Sequence, residues 1–186
     1  MANFFSNLYA NIFGHSPKSP IRILILGLNG GVGKTTVLYR LKDGTTINSY
    51  HTTGYNFETV TRNNISYEMF DIGGGDKLIP LWKHYFQSTK AIIFVVDSTD
   101  KERLNVVEQE LHRLLTDTEL EHCPLLVLAN KQDLPDSVSV DELKKALKLD
   151  QWKNRTIHVQ SAVANQGTGV TEGFDWLCAE LAKSEK

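Results

Sequence analysis

Apolar runs separated by amphipathic stretches set the rhythm of this chain. Ile21–Leu26, Ala91–Asp97 and residues 124–129 are apolar at nearly every position. Such runs predict strands buried on both faces of a parallel sheet. Helical spacing follows each of them. Residues 35–41 predict a helix after the first run. Val106, Leu111, Leu114 and Leu115 mark one between the second and third, and residues 140–147 and 170–181 predict two more. Residues 57–62 and 66–71 flank Asn63-Asn64, a hairpin signal, so these two strands are expected to run antiparallel. Residues 156–160 predict a last short strand. The alternation predicts an α/β domain: a mostly parallel six-stranded sheet with one antiparallel strand and helices on both faces.

Residues 1–14 carry a pattern of their own. Phe4, Phe5, Leu8, Tyr9, Ile12 and Phe13 form one wide apolar stripe, with Asn3, Ser6, Asn7 and Asn11 opposite. That spacing predicts an amphipathic helix. It suits packing on the protein's own core and also lying in a bilayer interface, and the two are compatible if the segment switches. The expected organisation is a helix over 1–14, a linker over 15–20, the main domain over 21–183 and a short tail over 184–186.

Composition narrows the classes. A chain of 186 residues with net charge −2 fits one domain, and no strongly basic stretch points to nucleic acid. Cys123 and Cys178 are the only cysteines, and neither has a metal-type or redox-type spacing, so a reducing intracellular compartment is expected. No apolar run approaches the roughly 20 residues of a membrane span. The apolar N-terminus has no positive leader and no cleavage site, so no secretory signal is expected.

Two motifs carry the chemistry. Residues 27–36 read Gly-Leu-Asn-Gly-Gly-Val-Gly-Lys-Thr-Thr, directly after the first apolar run. Asn29, Gly30, Gly31, Val32 and Gly33 would turn backbone N–H groups toward a phosphate chain, with a helix N-terminus behind them. Lys34 can reach the β- and γ-phosphates, the Thr35 hydroxyl can take a Mg²⁺ site, and Thr36 follows on the same helical turn. The spacing is irregular. Counting back from Gly33, the position of the usual first glycine falls on Leu28. Either the loop carries one extra residue after Gly27, or Leu28 fills the glycine's slot. A glycine-rich turn also occurs without a ligand. Here the second motif argues for one: residues 130–133 read Asn-Lys-Gln-Asp. The Asp133 carboxylate can accept hydrogen bonds from both N1–H and the 2-amino group of guanine, an edge that adenine lacks.

These segments, with residues 3–13, 52–60, 71–89, 95–103 and 167–177, resemble the ADP-ribosylation factor (Arf) branch of the Ras-like small GTPases nearly end to end. The run Asp76-Lys77-Leu78-Ile79-Pro80-Leu81-Trp82-Lys83-His84-Tyr85-Phe86 and the string from Asn130 to Pro135 carry the resemblance most specifically. The phosphate loop also resembles that of chromosome-partitioning ATPases, but Asn29 stands where those enzymes need a lysine.

The Arf resemblance implies GTP and GDP as ligands, with Mg²⁺ on Thr35, on Thr52 of a first switch (residues 51–58), and on Asp71 through water. It implies that the Gly74 N–H meets the γ-phosphate, that Asn130 braces the loops and that the Lys131 stem covers the base. Val163 and Ala164 fall in a third guanine loop, with the Ala164 N–H serving the guanine carbonyl. Tyr55, Phe70 and Tyr85 match an effector-binding aromatic cluster, Phe70 replacing the family's usual tryptophan. Implied partners are an exchange factor, a GTPase-activating protein, effectors or coat proteins, and a membrane surface met by residues 3–13. The implied setting is vesicle-mediated transport at Golgi-type membranes, peripheral on their cytoplasmic side.

Two departures bear on that function. The family's Gly-Gly-Gln reads Gly73-Gly74-Gly75 here, so the side chain that positions the attacking water is missing. The acylation pattern Met-Gly-x-x-x-Ser/Thr has Ala2 for its glycine, so no myristoyl chain is expected. Two functions compete on these grounds: a hydrolysing switch that recruits effectors, and a scaffold that remains GTP-bound. A partitioning-type ATPase is a third, opposed by Asp133 and by Asn29.

Overall fold

In the computed structural model, residues 19–46, 52 and 54–184 are described. The expected helix over 1–14 and most of the linker lie outside these residues. The described chain folds as β1 (Ile21–Leu26), α1 (Lys34–Asp43), β2 (Tyr55–Arg62), β3 (Ile65–Ile72), β4 (Ala91–Asp97), α2 (Leu104–Leu115), β5 (Leu125–Asn130), α3 (Val140–Ala146), β6 (Ile157–Ser161) and α4 (Val170–Ser184). A 3₁₀ segment, Ile79–Tyr85, stands between β3 and β4.

The sheet order is β2-β3-β1-β4-β5-β6. Every pairing is parallel except β2 with β3. Their hairpin turns at Asn63 (φ 53) and Asn64 (φ 61). Two successive left-handed residues make the turn whose twist matches a two-residue hairpin, and asparagine tolerates that conformation better than most residues.

Period-two alternation splits each central strand between two cores. Ile23 and Ile25 of β1, Ile93 and Val95 of β4, and Leu126 and Leu128 of β5 face α1 and α4, where Val37, Leu38, Phe174 and Leu177 cover them. Leu24, Leu26, Ile92, Phe94, Leu125 and Val127 face the other way, beneath Leu111 and Leu115 of α2, Leu143 of α3, and Trp82 of the 3₁₀ segment. Strands apolar at every position thus end up buried on both faces, as parallel sheets require.

Helix α2 departs from expectation in one detail. Val106 is 48% exposed, and its neighbour Val107 takes the core position. Both are valines, so spacing alone does not separate them; the packing of Leu111 and Leu114 sets the rotation. The run 79–85, part of the string that carries the family resemblance, forms the 3₁₀ segment. Pro80 near its start suits a first helical turn, and the Trp82 indole N–H, donating to Gly73 O at 2.9 Å, holds the segment against the end of β3.

Candidate nucleotide site

Parallel strands around β1 present their carboxyl ends on one edge of the sheet, where open α/β sheets bind ligands. Loop 27–33 leaves β1 there, the segment after Asp71 leaves β3, and Asn130 closes β5. Asp97 and Asn130 are register partners at the ends of β4 and β5. Residues far apart in sequence therefore meet on that edge.

Loop 27–33 curls around the Lys34 side chain. Lys34 Nζ donates to Gly27 O at 3.0 Å and to Asn29 O at 2.9 Å. The ammonium is buried, which lowers its pKa from 10.5 to about 8, Asp71 opposing the shift. A buried cation whose hydrogen bonds among the described residues go to neutral carbonyls is poised for an anion. Asn29 adopts φ 67, and its N–H donates to Gly74 O at 2.7 Å. The segment of irregular spacing thus touches the glycine of the expected second switch. Gly74 admits no larger residue: a Cβ would lie 1.9 Å from Gly27 O.

Three oxygen-bearing side chains converge beneath this loop. Thr35 Oγ1 donates to Asp71 Oδ2 at 2.6 Å, and Thr52 Oγ1 lies 3.0 Å from Thr35 Oγ1. Since the Thr35 proton is committed to Asp71, Thr52 is the donor in that second contact. Asn56 Nδ2 donates to the same Asp71 oxygen at 2.8 Å. The other oxygen, Oδ1, is buried with no partner among the described residues. An orphaned carboxylate oxygen beside two hydroxyls fits a hard divalent cation, directly or through water. Thr36 is half-buried on the next position of α1.

Asn130 ties two loops together. Its Nδ2 donates to Val32 O at 2.8 Å, and its Oδ1 accepts from the Ala164 N–H at 2.9 Å. That N–H, which the resemblance directs at the guanine carbonyl, is therefore engaged by the brace in this structure. Gly33 is needed at its position, since a Cβ there would lie 2.3 Å from Asn130 Nδ2. Val163 N–H donates to Thr168 O at 2.9 Å, closing the third loop. Lys131, at φ 66, forms a 2.6 Å ion pair with Asp97. Burial pushes the Asp97 carboxyl up, and Lys131 with Thr99 more than offsets it, so its pKa ends below 3.8. Asp133 stands exposed on the same loop.

The remaining expected residues lie elsewhere on the fold. Tyr55, Phe70 and Tyr85 do form a cluster, with ring centroids 5.6 to 6.3 Å apart. Phe57 joins it, 4.8 Å from Phe70, and the Arg22 guanidinium lies 4.2 Å above the Phe70 ring. Tyr55 and Phe57 are 53% and 44% exposed, so the cluster is a surface feature resting on the core. Gly75 has open space where a side chain would stand. Sequence reasoning missed Asn56, Asp97 and Phe57. Asp97 had a signal, as the last residue of a buried strand run at the ligand edge; Asn56 had none.

Comparison with known proteins agrees with this arrangement. The model of the ADP-ribosylation factor family matches residues 5–181. Among solved structures, the chain is similar to the Arl6 (BBS3) small GTPase of Trypanosoma brucei with bound nucleotide analogue GppNp. The two are 32% identical with a TM-score of 0.82, over 89% of this chain and 99% of that one.

Proposed function

The chain belongs to the ADP-ribosylation factor family of Ras-like small GTPases, and on that premise we propose that it is a GTP-operated switch in vesicle-mediated protein transport, recruiting effectors or coat proteins to membranes while GTP is bound. Guanine nucleotide binding and dependence on an exchange factor, a GTPase-activating protein and effectors follow from the family. The transport role and a peripheral place on Golgi-type membranes are our reading. The apolar stripe of residues 3–13 and the exposed aromatic pair Tyr55 and Phe57 support it.

The observation that carries the switch reading is the meeting of Thr35, Thr52 and Asp71 under the phosphate loop. In our assignment, loop residues 29–36 hold the phosphates and Lys34 balances their charge. The Gly74 N–H takes the γ-phosphate, and Asp133 reads the guanine edge, with Lys131 and residues 163–164 enclosing the base. Thr35 and Thr52 would hold Mg²⁺ directly and Asp71 through water; the ion would supply positive charge against the phosphates. Thr52 belongs to the first switch and Asp71 leads into the second. Loss of the γ-phosphate therefore removes a shared anchor from both.

Gly75 favours a second reading, a scaffold that stays GTP-bound because nothing at that position orients the attacking water. Nucleotide analysis of the purified protein tests both. Bound GDP supports the hydrolysing switch, bound GTP the scaffold, and adenine nucleotide or none overturns both. Asp133→Asn is expected to weaken GDP by roughly a hundredfold and to gain xanthine nucleotide. Unchanged GDP affinity would remove Asp133 from the base site.

A further inference from the structure

Arg40 lies one turn before the end of α1, outside every nucleotide-binding motif of the chain. Its guanidinium nevertheless reaches two functional loops. Nη1 donates to Gly44 O at 2.6 Å, just past the helix. Nη2 donates to Asn165 O at 2.5 Å and also to Thr46 Oγ1. The Thr46 hydroxyl donates to that same Asn165 carbonyl at 2.8 Å. The Arg40 stem lies flat on Gly167, where a Cβ would come within 3.0 Å of Arg40 Cδ.

Asn165 directly follows Ala164, whose backbone belongs to the third guanine loop. Thr46 lies six residues before Thr52, whose hydroxyl lies 3.0 Å from that of Thr35. One planar, rigid fork of donors thus fastens the base-enclosing loop to the root of the first switch. We propose that Arg40 is a positioning residue that couples these two loops and thereby slows the release of guanine nucleotide. The inference rests on the nucleotide reading above. With the fork in place, Thr46 moves away only by breaking charge-assisted hydrogen bonds or by pulling on Asn165, next to the base. The phosphate end and the base end of the site then do not open independently.

The test is release of a fluorescent GDP analogue (mant-GDP) from the full chain, with Mg²⁺ and after chelation by EDTA. The variants are Arg40→Ala, Arg40→Lys, Thr46→Ala and the Arg40→Ala/Thr46→Ala double. Arg40→Ala is expected to release at least about fivefold faster. Arg40→Lys should lie closer to alanine than to the parent, because a point charge does not span three acceptors. Acceleration by EDTA should shrink in Arg40→Ala, a response that mere loss of helix stability does not produce. The double variant should show less than the sum of the single effects. Thr46→Ala removes only a surface hydroxyl and carries the test if Arg40→Ala folds poorly; its release should also quicken. If the parent holds mant-GDP and neither Arg40→Ala nor Thr46→Ala changes release or the EDTA response, the coupling is wrong and the nucleotide site stands. A parent that holds no mant-GDP overturns the site and the coupling together.

Discussion

Gly75 and Lys34 sit at opposite ends of what a single residue can do here. Chain neighbours aside, no atom of the described residues stands within 4 Å of a Cβ built on Gly75, so a side chain can begin there without displacing anything. Hydrolysis needs one water held in line with the γ-phosphate, and glycine supplies neither amide nor rigidity. The parent is therefore expected to hydrolyse GTP at or below about 10⁻⁴ s⁻¹ and to respond weakly to a GTPase-activating protein. Gly75→Gln should raise activated turnover by orders of magnitude in single-turnover phosphate release; a parent that already responds fully would show that another group orients the water. Lys34 makes a prediction about pH. Its pKa is lowered to about 8 in the folded protein. Burying the ammonium therefore destabilises the nucleotide-free fold fully below about pH 8, and this loss fades as pH rises toward the ordinary 10.5. Phosphate reverses the shift by favouring the charged form. Nucleotide binding near pH 8.5 should thus take up protons, and affinity should fall as pH rises through about 8. Calorimetry in two buffers of different ionisation enthalpy measures the uptake; identical heats would contradict it.

At the scale of elements, the β2–β3 hairpin and the 3₁₀ segment show how differently sequence reports on structure. The hairpin was legible because Asn63-Asn64 is a local signal: the turn's geometry demands left-handed residues, and only a few side chains tolerate it. Asn64 at φ 61 makes the point testable. Asn64→Gly should leave stability equal or slightly raised, whereas Asn64→Val should cost about 1–2 kcal/mol, read as a shift in urea midpoint. Equal midpoints would mean that the turn relaxes into another type. Segment 79–85 offered no such local rule. Its backbone is set by Trp82 inserting against Phe94 and reaching Gly73 O, contacts that exist only once β3 and β4 are paired through β1. The Val106 and Val107 rotation in α2 has the same origin.

At the scale of the molecule, no helix among the described residues is long and apolar enough to cross a membrane. Ala2 stands where the acylation pattern has its glycine, and even one myristoyl chain gives only marginal binding. The protein is expected to sediment only weakly with liposomes, more in the GTP state than in the GDP state, and less after Phe5→Ala or Phe13→Ala. Strong binding with GDP would sink the idea that residues 3–13 act alone and on a switch.

Fold class, strand order of appearance, the hairpin and both nucleotide motifs were determined by the sequence itself, because each rests on a period or a short string whose physics is local. Lys34 and Thr35 had to follow a phosphate-facing turn, and Asp133 had to offer a carboxylate, wherever the chain placed them. Tertiary structure alone decided what those groups meet. It set Thr52 and Asp71 against Thr35 and left one Asp71 oxygen unpaired among the described residues. It used Asn130 to join Val32 to Ala164, and Arg40 to join Thr46 to Asn165. Apart from Arg40 and Thr46, which are six residues apart, these contacts span 17 to 125 residues, and no periodicity encodes them. They arise because parallel strands bring their carboxyl ends to one edge of the sheet, so that loops distant in the chain become neighbours in space.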